Sequence, residues 1–305
     1  MILGQATISP RNEAIAYEAL SSIRENTLKK LAPRLMNGRR LPSELLSEEQ
    51  IIDDLTQKAK EVLESVSVDF SISMFGDLKY PHTLRDVKHP LPLFYFRGDL
   101  ALLEKRCISV VGAREVSPEG IARAERLARL LAEKDFVVVS GLARGVDTAA
   151  MTSAIRSGGN VVGVIGTPID SFYPKENKKL QEYVATHNLL ISQVPFLRYS
   201  MQDYRINRFY FPERNETMSA LSEATIIVEA SDKSGTLTQA RAALKQGRKL
   251  FILNSCFENP RITWPAKYEK RGAIRVKSVD EIVERLAEDD SEPFSLESEW
   301  TVDQD

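Results

Sequence analysis

Glycines, hydroxyls and cations recur together in the turns between residues 112 and 238 of this 305-residue chain, and that combination suits phosphate binding. A helix N-terminus offers bare N–H groups to an anion, glycine lets a ligand approach the backbone, and a nearby cation adds charge. The first turn carries Gly112, Arg114 and Ser117, with Pro118 opening a helix behind them. The second, SGLARGVD, carries Gly141 and Arg144. The third, TPIDSFYPKEN, sets Tyr173 beside Lys175 and Asn177, a ring for a base and an amine for a phosphate. A later turn, KSGTLTQA, supplies Ser234, Gly235 and Thr236.

Between them lies YRINRFYFPERN (204–215), where Arg205, Arg208 and Arg214 interleave with Tyr204, Phe209, Tyr210 and Phe211. Bases stack on aromatic faces for roughly 1–3 kcal/mol each while arginine neutralises the backbone. Arg214 and Asn215 therefore join the phosphate-binding set, and Tyr173, Tyr204 and Phe211 form the stacking set. Each turn also has a plainer reading. Ser117 and Asp147 can cap helices, and Phe209 and Phe211 can point into a core.

The elements that would position these residues are legible as apolar runs. CISVVG (107–112), FVVVSG (136–141), NVVGVIG (160–166) and ATIIVEA (224–230) are rich in Val and Ile and lack polar alternation. Strands buried on both faces read this way, and strands alternating with helical stretches predict a doubly wound, mostly parallel α/β sheet. Such sheets bind ligands at the carboxyl ends of their strands. Residues 1–66 read as a small helical domain. A stripe through Ile15, Ala19, Ile23, Leu28 and Leu31 leads to Pro33 and a turn at Gly38, and Ser47 with Gln50 looks like a capping box for a second helix. Residues 67–106 read as a connector on the sheet edge, 107–287 as the main domain, and 288–305 as an acidic tail expected to be disordered.

Composition narrows the field. A hydrophobic content of 43% and a charged content of 28% suit a water-soluble chain, and no apolar run could span a membrane. The tail holds eight of the 43 acidic residues and none of the 41 basic ones, so the remaining body is net basic by six. A basic body is compatible with a polyanionic ligand. Two cysteines and three scattered histidines give neither a disulfide framework nor a metal site, and a cytoplasmic location is expected. The phosphate-loop pattern G-x-x-x-x-G-K-[ST], the dinucleotide fingerprint and the common hydrolase motifs are absent, so no cofactor or metal is expected and binding is favoured over catalysis.

The motifs VVGAREVSPEG, SGLARGVDTAA, GVIGTPIDSFYPKEN, FPERN with SALS, IIVEA with SGTLTQA, and ALKQGRKLFIL stand in the order of the DprA/Smf DNA-processing proteins, which the chain resembles over about residues 76–255. The resemblance implies a Rossmann-like domain that binds single-stranded DNA without sequence preference. It also implies homodimers and the loading of a RecA-type recombinase in natural transformation. The DNA contacts carried over are Arg114, Lys175, Arg214 and Asn215, with Gly112, Gly141 and Gly235 shaping the backbone. The chain departs from the family pattern at Met151, where histidine is usual, at Glu216, which follows Arg214-Asn215 in place of arginine, and at Asn254-Ser255, where Pro-Gly is usual. After residue 287 the acidic tail, and no winged-helix domain of the family's kind, is expected.

Two other functions are compatible with these residues. One is a nucleotide or nucleic-acid sensor that regulates a partner, in phage defence or beside a toxin. The other is a nucleotide N-glycosidase, which the residues disfavour. Gln239 stands where that enzyme pattern places a carboxylate, and an amide cannot act as a general base.

Overall fold

Burial on both faces is what the Val/Ile runs predicted, and the central strands show it: every residue of β3 (Cys107–Val111), β4 (Val137–Ser140), β5 (Val161–Ile165) and β7 (Ala224–Ile227) is buried. The structure, a computed structural model, describes residues 8–49, 53–88 and 90–290. Among them lie five further strands: β1 (Ser71–Met74), β2 (Leu93–Gly98), β6 (Leu189–Ser192), β8 (Lys249–Leu253) and β9 (Ile274–Val276). All nine form one sheet in the order β1-β2-β6-β5-β4-β3-β7-β8-β9. Pairing is parallel from β6 to β9 and antiparallel at the β1-β2-β6 edge. The fold is thus a Rossmann-like α/β sheet, its helices covering both faces. Residues 67–106, read as a connector on the sheet edge, supply β1 and β2 on either side of Pro81, Pro90 and Pro92.

The N-terminal helices span Pro10–Ser22, Leu28–Met36, Pro42–Leu46 and Asp53–Ser65. The stripe through Ile15 and Leu31 is divided between two of them, because Ile23 is extended and ends the first. Pro33 lies inside the second helix instead of ending it. Ser47 closes the short third helix at its C-terminus, so it starts no helix, and Gln50 lies outside the described residues. Of the acidic tail, residues 291–305 also lie outside them.

The helical region and the sheet share one hydrophobic core, in which Tyr17 and Leu20 join Leu93, Tyr95 and Phe196. At its centre the buried Glu18 carboxylate accepts hydrogen bonds from the Phe196 N–H at 3.0 Å, the Leu197 N–H at 2.8 Å and the Tyr95 hydroxyl. Arg198 reinforces the joint by donating to the carbonyls of Ser21 and Asn26. Burial raises the Glu18 carboxyl from 4.5 to about 7, against the opposing pull of those hydrogen bonds. A carboxyl raised on folding holds its proton longer in the native state, so its contribution to stability falls as pH rises from about 4.5 to about 7 and is level above. Glu18→Gln removes this titration. Urea unfolding at pH 5 and pH 8 is expected to show the wild type losing on the order of 2–3 kcal/mol relative to the variant across that window. A relative gain with rising pH would contradict the assignment.

Candidate functional site

Strand order places the site. The chain runs outward from β3 through β4 and β5 on one side and through β7 and β8 on the other, so the sheet's switch point lies between β3 and β7. Turns leaving a switch point in opposite directions open a crevice at the carboxyl edge. A cavity of about 790 Å³ fills this crevice. Its walls come from four adjacent strands: Ala143 and Asp147 after β4, Gly112 to Glu115 after β3, Ala230 to Thr236 after β7, and Asn259 to Ile262 after β8. Phe211, Arg214, Asn215 and Met218, from the helix Tyr210–Ala220, close the remaining side. Gly112 is required by packing, because a Cβ there would meet Val146 at 2.5 Å and the Glu229 carbonyl at 2.8 Å.

At the inner end, Arg214 is only 5% exposed. Its Nη1 donates to the Val164 carbonyl at 2.9 Å, and its Nε has no hydrogen-bond partner among the described residues. Burial lowers its pKa to about 10; Asp147 opposes the shift and Arg114 adds to it. The guanidinium therefore stays charged at neutral pH. Asp147 is its counter-ion. One Asp147 oxygen accepts from the Gly141 N–H at 3.1 Å and the Ala143 N–H at 3.4 Å, so this residue pins the second turn where a helix cap was also conceivable. Burial raises the Asp147 carboxyl while Arg214 pulls it down. Gly141 makes room for the arrangement, since a Cβ there would overlap the Arg214 guanidinium.

From the cavity wall a track of cations and rings continues along the same edge. The Arg114 guanidinium lies 5.9 Å from the centre of the Phe211 ring, and Phe211 lies 5.2 Å from the Tyr173 ring. Tyr173 is 48% exposed, and Lys175 follows it two residues later with its side chain in solvent. Phe211 backs onto Gly166, where a Cβ would sit 2.8 Å from its ring, so the ring is half-buried with one face held by β5's end. A cation, two aromatic faces and a second cation thus follow one another along the edge.

The sequence profile of the DNA recombination-mediator protein A family matches residues 71–287. The chain belongs to the DprA/Smf family. It is 34% identical over 220 residues to the DNA processing protein DprA of Bacillus subtilis, a match covering 71% of this chain and 72% of that one. It is 37% identical over 183 residues to DprA of Streptococcus pneumoniae, covering 60% and 62%. The X-ray structure of the Streptococcus pneumoniae protein superposes with a TM-score of 0.74 at 27% identity, over 91% of this chain and 98% of that one. A Helicobacter pylori DNA processing protein A, whose structure is described for its single-stranded DNA binding mode, superposes with a TM-score of 0.62 at 28% identity, over 73% and 98%.

Several polar residues of this DprA/Smf sheet edge hold turns in place. Ser117 caps its helix through the Gly120 N–H at 3.0 Å, and its hydroxyl donates to Glu229 at 2.6 Å. Arg144 is ion-paired with Glu176, and the buried Asn177 donates to the Leu142 carbonyl and the Thr148 hydroxyl, both at 2.8 Å. These two residues tie the second turn to the third. Ser234 and Thr236 bond to each other at 2.9 Å, and Thr236 donates to the Gly112 carbonyl at 2.9 Å, which joins the last turn to the first. Asn215 reaches the Gly235 carbonyl at 3.4 Å. Tyr204, 76% exposed, stands apart from the cavity on the short helix Tyr204–Asn207, and Phe209 is 59% exposed instead of core.

Two of the departures from the family pattern are also placed. Met151 is fully buried in the core. Glu216 turns away from the cavity and lines a separate groove with Lys29, Lys88 and Lys245. Asn259, Arg261 and Ile262 also line the cavity, and nothing in the sequence marked them, because their loop follows β8 with no glycine turn.

Proposed function

We propose that the switch-point cavity and the track beside it bind single-stranded DNA without sequence preference, as a non-enzymatic step in recombination and DNA uptake. The observation that carries this reading is the alignment of Arg114, Phe211, Tyr173 and Lys175 outward from a cavity floored by Arg214. Arginine and lysine would neutralise phosphates while the rings accept any base. The single-strand binding described for the Helicobacter pylori relative supports it. Loading of a RecA-type recombinase and assembly as a cytoplasmic homodimer belong to the same reading, through the family resemblance. Among the described residues no helix is long and apolar enough to cross a membrane.

Gly235 provides the test. Its φ is −60° and nothing lies within 4 Å of the point an added methyl would occupy, so neither strain nor crowding demands glycine there. Gly235→Ala is expected to leave stability unchanged or raise it by up to about 1 kcal/mol. A ligand pressed against this turn would meet the new methyl. Fluorescence anisotropy with labelled oligo-dT at two salt concentrations should show tight, salt-sensitive binding by the wild type and about tenfold weaker binding by the variant. A wild type that does not bind would end the reading. Equal affinity of the two proteins would move the strand off this turn.

One feature favours the alternative of a nucleotide-sensing regulator. The cavity carries Glu115, Asp147 and Glu229 beside its arginines, a mixture suited to a small ligand with amino groups as well as phosphate. A mononucleotide that raises the melting temperature of a protein unable to bind oligo-dT would select that function.

A further inference from the structure

Arg261 is a cavity-lining cation that none of the glycine turns supplies. It sits on the loop after β8, and its guanidinium has no hydrogen bond or ion pair among the described residues. The loop is held firmly. Its own Asn259 side chain accepts the Arg261 N–H at 3.0 Å. Asp232, in the turn after β7, accepts the Thr263 N–H at 3.0 Å, the Thr263 hydroxyl at 3.2 Å and the Trp264 N–H at 2.9 Å. The buried Trp264 indole donates to the Ala230 carbonyl at 2.8 Å, and the Tyr268 hydroxyl to the Leu237 carbonyl at 3.1 Å. Two neighbouring turns are thereby fused into one wall, and Arg261 is presented from a fixed backbone.

Its position in the strand order gives this a meaning. Lys175 and Tyr173 follow β5, Arg114 follows β3, and Arg261 follows β8 on the far side of β7. Adjacent strands lie about 4.8 Å apart, so the loops after β3 and β8 start about 10 Å from each other along the edge. Arg114 and Arg214 both bear electrostatically on Asp147, at the inner end. Arg261 enters from the opposite wall.

We propose that Arg261 is a phosphate contact at the β8 end of the binding path, so that a single strand crosses the carboxyl edge of the sheet from β5 over the switch point to β8. This rests on the single-stranded DNA reading. Each phosphate neutralised on a single strand contributes about 0.7 to the slope of log affinity against log salt. Arg261 has no partner among the described residues to lose, so its replacement leaves the fold intact.

The experiment is anisotropy with labelled oligo-dT across a salt series, for the wild type, Arg261→Ala, Arg261→Lys, Arg114→Ala and, as a surface control in the separate groove, Lys88→Ala. Arg261→Ala is expected to bind about tenfold more weakly at low salt, with a slope reduced by about 0.7, and Arg261→Lys to restore the slope. Lys88→Ala should match the wild type. If Arg114→Ala weakens binding while Arg261→Ala keeps wild-type affinity and slope, the path stops short of β8 and the assignment of Arg261 is overturned while the DNA reading stands. If the wild type shows no binding, both fall together.

Discussion

Arg214→Met is expected to destabilise the protein by about 3 kcal/mol. Methionine fills much of the volume, so the loss comes from charge and hydrogen bonding. Asp147 would remain buried with only the charge of Arg114 acting on it, and removing one partner of a buried charge pair commonly costs about 3–5 kcal/mol. The Val164 carbonyl would also lose its 2.9 Å donor. The lower end of that range applies because the Gly141 and Ala143 N–H groups still stabilise the Asp147 carboxylate. Urea denaturation with a fixed m-value is the measurement. A change below about 1 kcal/mol would show that Asp147 is satisfied by the turn alone. Arg214→Met combined with Asp147→Asn should recover part of the loss, because the uncompensated charge is then gone.

The second large effect concerns binding. Arg114→Ala with Lys175→Ala is expected to weaken oligo-dT binding at low salt by two orders of magnitude or more, at about 1.5 kcal/mol or more for each charged contact. Neither side chain holds the fold together: both are exposed, Arg114 rests against the Phe211 ring face, and Lys175 reaches into solvent. The melting temperature should therefore stay at its wild-type value, separating loss of contact from loss of structure. The salt slope should fall by about 1.4, two phosphates' worth. Unchanged affinity would remove the track from the binding site.

Much of the fold could be read from the chain because its strands are buried on both faces. CISVVG, FVVVSG, NVVGVIG and ATIIVEA carry no polar alternation, and each became a strand of the parallel sheet. β6 was harder to see, because four residues, Leu189–Ser192, arrive with no glycine turn behind them. The N-terminal stripe misled because a strand-like residue, Ile23, falls at helical spacing and only tertiary packing decides that the helix stops there. At the site, the type of a residue in a turn was visible but its partner was not. Ser117 and Asn177 look like ligand donors in sequence, yet their hydrogen bonds go to neighbouring turns. Arg214 reads as one more phosphate-binding cation, and its burial and its bond to the Val164 carbonyl appear only once the sheet closes over it.

The helix Tyr210–Ala220 is a partition with a different chemistry on each side: Arg214 and Asn215 face the cavity, while Glu213, Glu216 and Thr217 face the neighbouring groove. Successive residues of a helix point about 100° apart. Turning this partition by a single residue would put Asn215 where Arg214 stands and Glu216 where Asn215 stands, replacing the cation offered to a phosphate by an anion. The polarity of the site is therefore kept by the helix's angular setting, and that setting is fixed on its far side by Thr217 on Gln193 and by the packing of Tyr210 beside Tyr199. Contacts that never meet the ligand thus decide whether an anion is welcomed or refused.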